Sequence, residues 1–166
     1  MNEFASEIEE EESYGSIKTL TILTFIGSSL GIVSGVWAYL KSADNLAKMQ
    51  DLISSPDFDK LPDFAKKYYS QDTIDFMIKM DVNKLPIAIL NFIGCSLCIY
   101  GAIEMRKLKM SGFYTYIMGS LLPFIGMFLF MGSAYLKGGY NVYIGLGITA
   151  LFITLYVFQT KYLDAD

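Results

Sequence analysis

Four long stretches of the chain, residues 19–40, 85–103, 110–136 and 138–160, contain no Asp, Glu, Lys or Arg. Hydrocarbon offers no partner to a charge or to an open backbone group, so a stretch of this kind is restricted to one solution, the membrane-spanning helix. About 20 apolar residues of helix cross a bilayer core some 30 Å thick. Each stretch reaches or nearly reaches that length. The expected fold is therefore an all-α membrane protein, a bundle of four transmembrane helices with spans at about 19–40, 85–103, 112–136 and 140–160. A mostly helical extramembrane loop, residues 41–84, lies between spans one and two. Only 18% of the 166 residues are charged and the mean hydropathy is +0.38, whereas a soluble domain carries about 25% charged residues. No room remains for a separate soluble domain, so residues 17–163 are read as one membrane domain.

The charge that is present lies outside the spans. Glu3, Glu7, Glu9, Glu10, Glu11 and Glu12 crowd residues 1–16, expected as a disordered, solvated tail that repels nucleic acid and anionic lipid. The partners expected are the lipid bilayer and a protein partner or a second copy of the chain, not nucleic acid. Arg106 is the only Arg and His is absent, which removes the usual proton relay and the commonest metal ligand. The first stretch has a charge-free core of 22 residues and follows an acidic segment. A cleaved leader has a basic start and an apolar core of about 7–15 residues, so an uncleaved span is expected.

Within the loop, Leu46, Met49, Leu52 and Ile53 follow a helical repeat, which extends the first helix to about Ser54, where Pro56 stops it. Asp72 is placed as the N-cap of a second helix whose apolar side carries Ile74, Met77 and Ile78. Asp57, Asp59 and Asp63 sit in turns beside Lys60, without the Gly and terminal Glu of a Ca²⁺ loop. They are read as capping and turn residues, so no metal is expected. Pro86 falls in the first turn of span two, where its missing N–H costs nothing. Arg106, Lys107 and Lys109 crowd the turn between spans two and three, which places that turn and both termini in the cytoplasm and the 41–84 loop outside. Ala38-Tyr39-Leu40-Lys41 and Ala134-Tyr135-Leu136-Lys137 echo one another, as a parallel internal repeat would.

Packing is expected through small residues, because lipid provides no hydrophobic drive between helices. Gly27, Gly31 and Gly35 form a GxxxGxxxG run, and Thr21, Thr24, Ser28, Gly31, Gly35 and Ala38 share one stripe. The opposite side of span one, with Ile22, Ile26, Val33 and Leu40, is assigned to lipid. Asn91, Gly94, Cys98 and Gly101 form the matching stripe on span two. The two stripes are expected to meet, with Asn91 bonding Thr24 or Ser28.

Cys95-Ser96-Leu97-Cys98-Ile99-Tyr100 is the one motif with a chemical mechanism. It resembles locally the redox motif of the DsbB and vitamin K epoxide reductase families, four-span oxidoreductases. Those families use a second cysteine pair on a loop, and this chain has no other Cys. Cys98 is read instead as one more small residue on the packing stripe. The segment Lys18-Thr19-Leu20-Thr21-Ile22-Leu23 and the run from Ile99 through Glu104-Met105-Arg106-Lys107-Leu108 resemble small four-span bacterial membrane proteins of a family known as a domain of unknown function. That resemblance implies a fold and the bacterial inner membrane, and no activity. The chain is thus read as a non-enzymatic scaffold, accessory or partner-binding module without catalytic residues or cofactor. A small oligomeric channel or transporter is the alternative, and a thiol oxidoreductase using Cys95 and Cys98 a remote one.

Overall fold

The computed structural model describes the backbone of residues 2–163 apart from 64, 65, 67, 68, 138 and 139. Among the described residues six α-helices follow in order: α1 (Asn2–Ser54), α2 (Gln71–Val82), α3 (Lys84–Arg106), α4 (Met110–Met131), α5 (Ser133–Lys137) and α6 (Tyr140–Gln159). Short 3-10 turns occupy Phe58–Lys60 and Thr160–Tyr162. Four of the helices, α1, α3, α4 and α6, are long and apolar enough to cross a membrane. The chain is an all-α, multi-pass membrane protein.

Helix α1 runs without a break to Ser54 and ends just before Pro56. Its last 14 residues project about 20 Å past Leu40 at 1.5 Å per residue. At the other end its backbone takes in the acidic run that the composition assigns to a disordered tail. Glu is a good helix former.

The closest packing joins α3 to α4, not α1 to α3. The turn Lys107-Leu108-Lys109 folds the two helices into an antiparallel hairpin. Lys109 N–H bonds the Glu104 carbonyl at 3.2 Å and Leu108 N–H bonds that of Met105 at 3.0 Å. This pair of bonds is a Schellman cap, with Leu108 at the left-handed position, φ 59°, where glycine is usual. With the turn set, glycines seven residues apart on each helix come into register. A side chain added at Gly101 would stand 2.7 Å from the Gly112 carbonyl oxygen, and one at Gly94 would stand 2.8 Å from that of Gly119. Backbone lies on backbone, with no space for a methyl group.

Span three is shorter than its uncharged stretch. Helix α4 stops at Met131 because Gly132 takes φ 58°, ψ −138°, a conformation open essentially to glycine. Residues expected as its last turn form the separate helix α5. The echo between residues 38–41 and 134–137 therefore falls on unlike structures: the first lies inside continuous α1, the second in a short helix after a break. Pro123 sits inside α4 without ending it.

Two buried clusters hold the ensemble. Cys98, Met105, Phe113, Tyr116 and Tyr156 pack near the Arg106 end; Met131, Tyr135 and Val142 pack near the other end, with Phe76, Met80, Ile87, Phe124 and Met127 against them. The second cluster shows how α2 docks. Phe76 and Met80 face the bundle, while Ile78, expected on the inner side, is exposed. The cap also shifts by two residues, to Ser70, leaving Asp72 in the first turn. Lipid-facing assignments on α1 hold: Ile22, Ile26, Val33 and Leu40 are all exposed.

Candidate functional site: a polar crevice between α1, α3 and α4

Helices α1 and α4 both lie against α3 and leave a crevice between them. Near the Arg106 end it is closed by hydroxyls. Thr21, Thr24 and Ser28, one stripe on α1, are all buried. Thr24 Oγ1 and the Tyr156 hydroxyl on α6 stand 2.8 Å apart, and the Tyr156 ring lies 4.6 Å from that of Tyr116 on α4. Arg106 Nε donates to Thr21 Oγ1 at 2.9 Å, and its guanidinium lies 5.3 Å from the centre of the Phe25 ring. Burying hydroxyls is costly unless they are paired, and here four helices supply one another's partners. Glu104 is buried against Gly112 of α4 and is neutralised by Lys107 at 2.9 Å and Lys109 at 3.6 Å. Outside the span, the hydrogen bond that Lys107 donates to Glu104, and the Glu104 charge, push the Lys107 ammonium above its ordinary pKa.

The crevice contains two cavities. The lower, of about 240 Å³, is lined by Thr24, Gly27, Ser28, Cys95, Ser120 and Thr149, among others. The upper, of about 580 Å³, is lined by Tyr39, Ser42 and Lys84 on its rim side and by Ser34, Gly35, Ala38, Ile87, Ala88, Asn91, Pro123 and Met127 deeper in. Along α1 they are separated by Gly31, along α3 by the step from Asn91 to Cys95, and on α4 they share Pro123. That neck is where α1 and α3 touch. Asn91 Nδ2 donates to the Gly31 carbonyl at 3.0 Å, and Cys95 Sγ stands 3.0 Å from where a Gly31 side chain would begin.

The stripes expected to meet are thus divided. Gly31, Gly35 and Asn91 form the α1–α3 contact, but Asn91 bonds the Gly31 carbonyl rather than Thr24 or Ser28. Thr24 is engaged by Tyr156. A backbone carbonyl without a Cβ above it is the nearer acceptor. Gly94, Cys98 and Gly101 face α4, with Cys98 Sγ directed at the Tyr116 carbonyl at 3.8 Å. Gly27 and Ser28 line the lower cavity, and nothing stands within 4 Å of a side chain placed at Gly27. The role of Gly112 and Gly119 escaped the sequence reading, although their seven-residue spacing repeats that of Gly94 and Gly101. Arg106 escaped it as well, counted as a turn charge only.

Both cysteines are free thiols, three residues apart on α3 but facing different helices. At the mouth of the upper cavity, Lys84 Nζ meets Asp81 Oδ1 at 3.0 Å. The hydrogen bond from Lys84, and after it one from Ser42, hold the Asp81 carboxyl below its ordinary pKa. Asp57, in the loop, pairs with Lys60 at 2.7 Å. Comparison with protein-family models, curated proteins and solved structures gives no match.

Proposed function

We propose that the protein is a non-enzymatic module of the bacterial cell membrane that holds its 41–84 segment on the bilayer surface for a protein partner. The observation that carries this reading is the unbroken passage of α1 from the bundle to Ser54. A continuous helix transmits position, so the segment it carries is held rather than tethered. Helix α2 docks back on the bundle through Phe76 and Met80. Between α1 and α2 an open groove of about 380 Å³ remains, lined by Lys48, Met49, Leu52, Tyr69 and Met77. Methionine-lined grooves adapt to apolar side chains of a partner. In this proposal both termini are cytoplasmic and the segment is outside, since Arg106, Lys107 and Lys109 retain the adjoining turn.

The test is a photo-crosslinking residue at Leu52 in intact cells. A single crosslinked protein that also co-purifies in stoichiometric amount, and is lost from the Met77→Glu variant, is expected. Crosslinks to lipid alone overturn the proposal. A single Cys at Ser55 is expected to react with a membrane-impermeant reagent, and protection in intact cells reverses the orientation.

The second reading, a channel or transporter, is favoured by the two stacked cavities. Solute flux into proteoliposomes above that of empty vesicles is its measurement. The thiol reading has least support, because Cys98 is directed into the α3–α4 contact.

A further inference from the structure

We infer that the upper cavity is a binding site for one zwitterionic phospholipid of the surrounding bilayer. Its head group would sit at the Lys84–Asp81 rim and its chain would run inward toward Asn91. Four observations carry this. The volume, about 580 Å³, lies within the ~300–1,000 Å³ typical of small-molecule sites. The lining is graded: Lys84, Ser42 and Tyr39 stand at the mouth, while Gly35, Ala38, Ile87, Ala88 and Met127 form the wall. The mouth lies at the level of Trp37, Tyr39 and Lys41, residue types that anchor helices at the head-group layer. From Ser42 to Ser34 is two turns of helix, roughly 12 Å at 1.5 Å per residue, so the cavity descends from that layer into the chain region.

The opening faces lipid. The walls come from α1, α2, α3 and α4, and no residue of α6 contributes. At this level the fourth span packs on a neighbouring face of α4, with Val142 in one cluster with Met131 and Gly145 beside Phe124. An apolar cavity of this size, open sideways in a bilayer, is filled by an acyl chain, because leaving it empty forfeits the contacts of its walls.

The rim charges select the head group. Lys84 and Asp81 form a half-buried pair at 3.0 Å. A phosphate beside the Lys84 ammonium and an ammonium beside the Asp81 carboxylate complement the two together, and phosphatidylethanolamine carries both groups, joined by a two-carbon link. The Tyr39 hydroxyl adds a donor at the mouth. The floor is closed by the Asn91–Gly31 hydrogen bond, which stops the chain at the neck. This inference is independent of the partner assigned to the 41–84 segment.

The experiment is native mass spectrometry of the full-length protein in detergent, titrated with dioleoyl phosphatidylethanolamine. One saturable adduct is expected. Ala88→Leu, which fills the cavity, is expected to weaken it by about tenfold or more, some 1.4 kcal/mol. Lys84→Gln, which removes a charge-assisted contact, is expected to weaken it by a similar factor, while lipid-facing Ile89→Ala leaves it unchanged. Ala38→Leu fills the same space from the facing helix and serves if the Ala88 variant does not fold. An adduct that persists equally in the cavity-filling variants and in Lys84→Gln overturns the proposal. So does unsaturable binding, or displacement of the lipid by inorganic phosphate, which would mark a simple anion site.

Discussion

At the scale of single residues, the decisive quantity is what stands where a side chain would begin. Gly101 has no such space, since the Gly112 carbonyl oxygen is 2.7 Å away, and Gly27 has nothing within 4 Å. Gly101→Ala must separate two backbones and is expected to destabilise the protein by about 1–3 kcal/mol or more, the usual cost of overpacking. Gly27→Ala is expected to be neutral or slightly stabilising. Thermal unfolding of the two variants in one detergent checks the contrast, and equal midpoints would refute it. Hydrogen bonds are the second residue-scale term. Thr24→Val and Tyr156→Phe, alone and together, are expected to show a coupling of about 0.6–1.7 kcal/mol, the range measured between membrane helices. The glycine run on α1 was the more conspicuous signal in the sequence, yet the tighter contact belongs to glycines spaced by seven. A seven-residue repeat becomes informative only once the Lys107-Leu108-Lys109 turn sets which glycine meets which.

At the scale of elements, most starts and stops have local causes. Helix α1 ends before Pro56, and α4 ends at Gly132 because of a backbone conformation that side chains do not tolerate. Gly132→Ala is expected to cost about 1–3 kcal/mol and to loosen α5, which proteolysis or hydrogen exchange would report. The docking of α2 has an electrostatic component. Asp81 is held below its ordinary pKa of 3.8 by the hydrogen bond from Lys84, and then by that from Ser42 on α1. A carboxyl whose folded pKa is depressed contributes stability that is fully present above its unfolded pKa and is lost as pH falls through the folded one. Spin-label distances between α1 and α2 are therefore expected to stay constant at neutral pH and to broaden below about pH 4. Asp81→Asn is expected to remove that dependence. The inner face of α2 was only partly legible. Its period identifies a helix, but Phe76 and Met80 rather than Ile78 face inward because Met131 and Tyr135 of other helices lie on that side.

At the scale of the whole molecule, the bundle is uneven. Helices α3 and α4 form a backbone-tight hairpin, α1 leans on α3 through Gly31, Gly35 and Asn91, and α6 is secured mainly by Tyr156 and Val142. The lipid-exposed surface of α6 includes Ile144, Ile148, Leu151 and Phe158. Hydrogen exchange in detergent is expected to be slowest in α3 and α4 and faster in α6, since opening free energies follow buried contact. The reverse order would contradict this division. The uneven packing is also what leaves space: a crevice persists between α1 and α4 because both are held by α3 and neither is drawn tightly to the other.

The sequence by itself determined the number of spans, their approximate limits, the continuation of α1 to Ser54 and the sides of α1 that meet lipid. These follow from charge, length and period, which act locally and need no partner. Only the tertiary structure decided that Gly94, Cys98 and Gly101 belong to α4, that Asn91 reaches the Gly31 carbonyl, and that Arg106 meets Thr21. It also decided that the polar stripe of α1 borders two cavities. Those facts depend on which faces of distant helices meet. In lipid that choice rests on shape and hydrogen-bond partners supplied by several segments at once, and no single segment carries it.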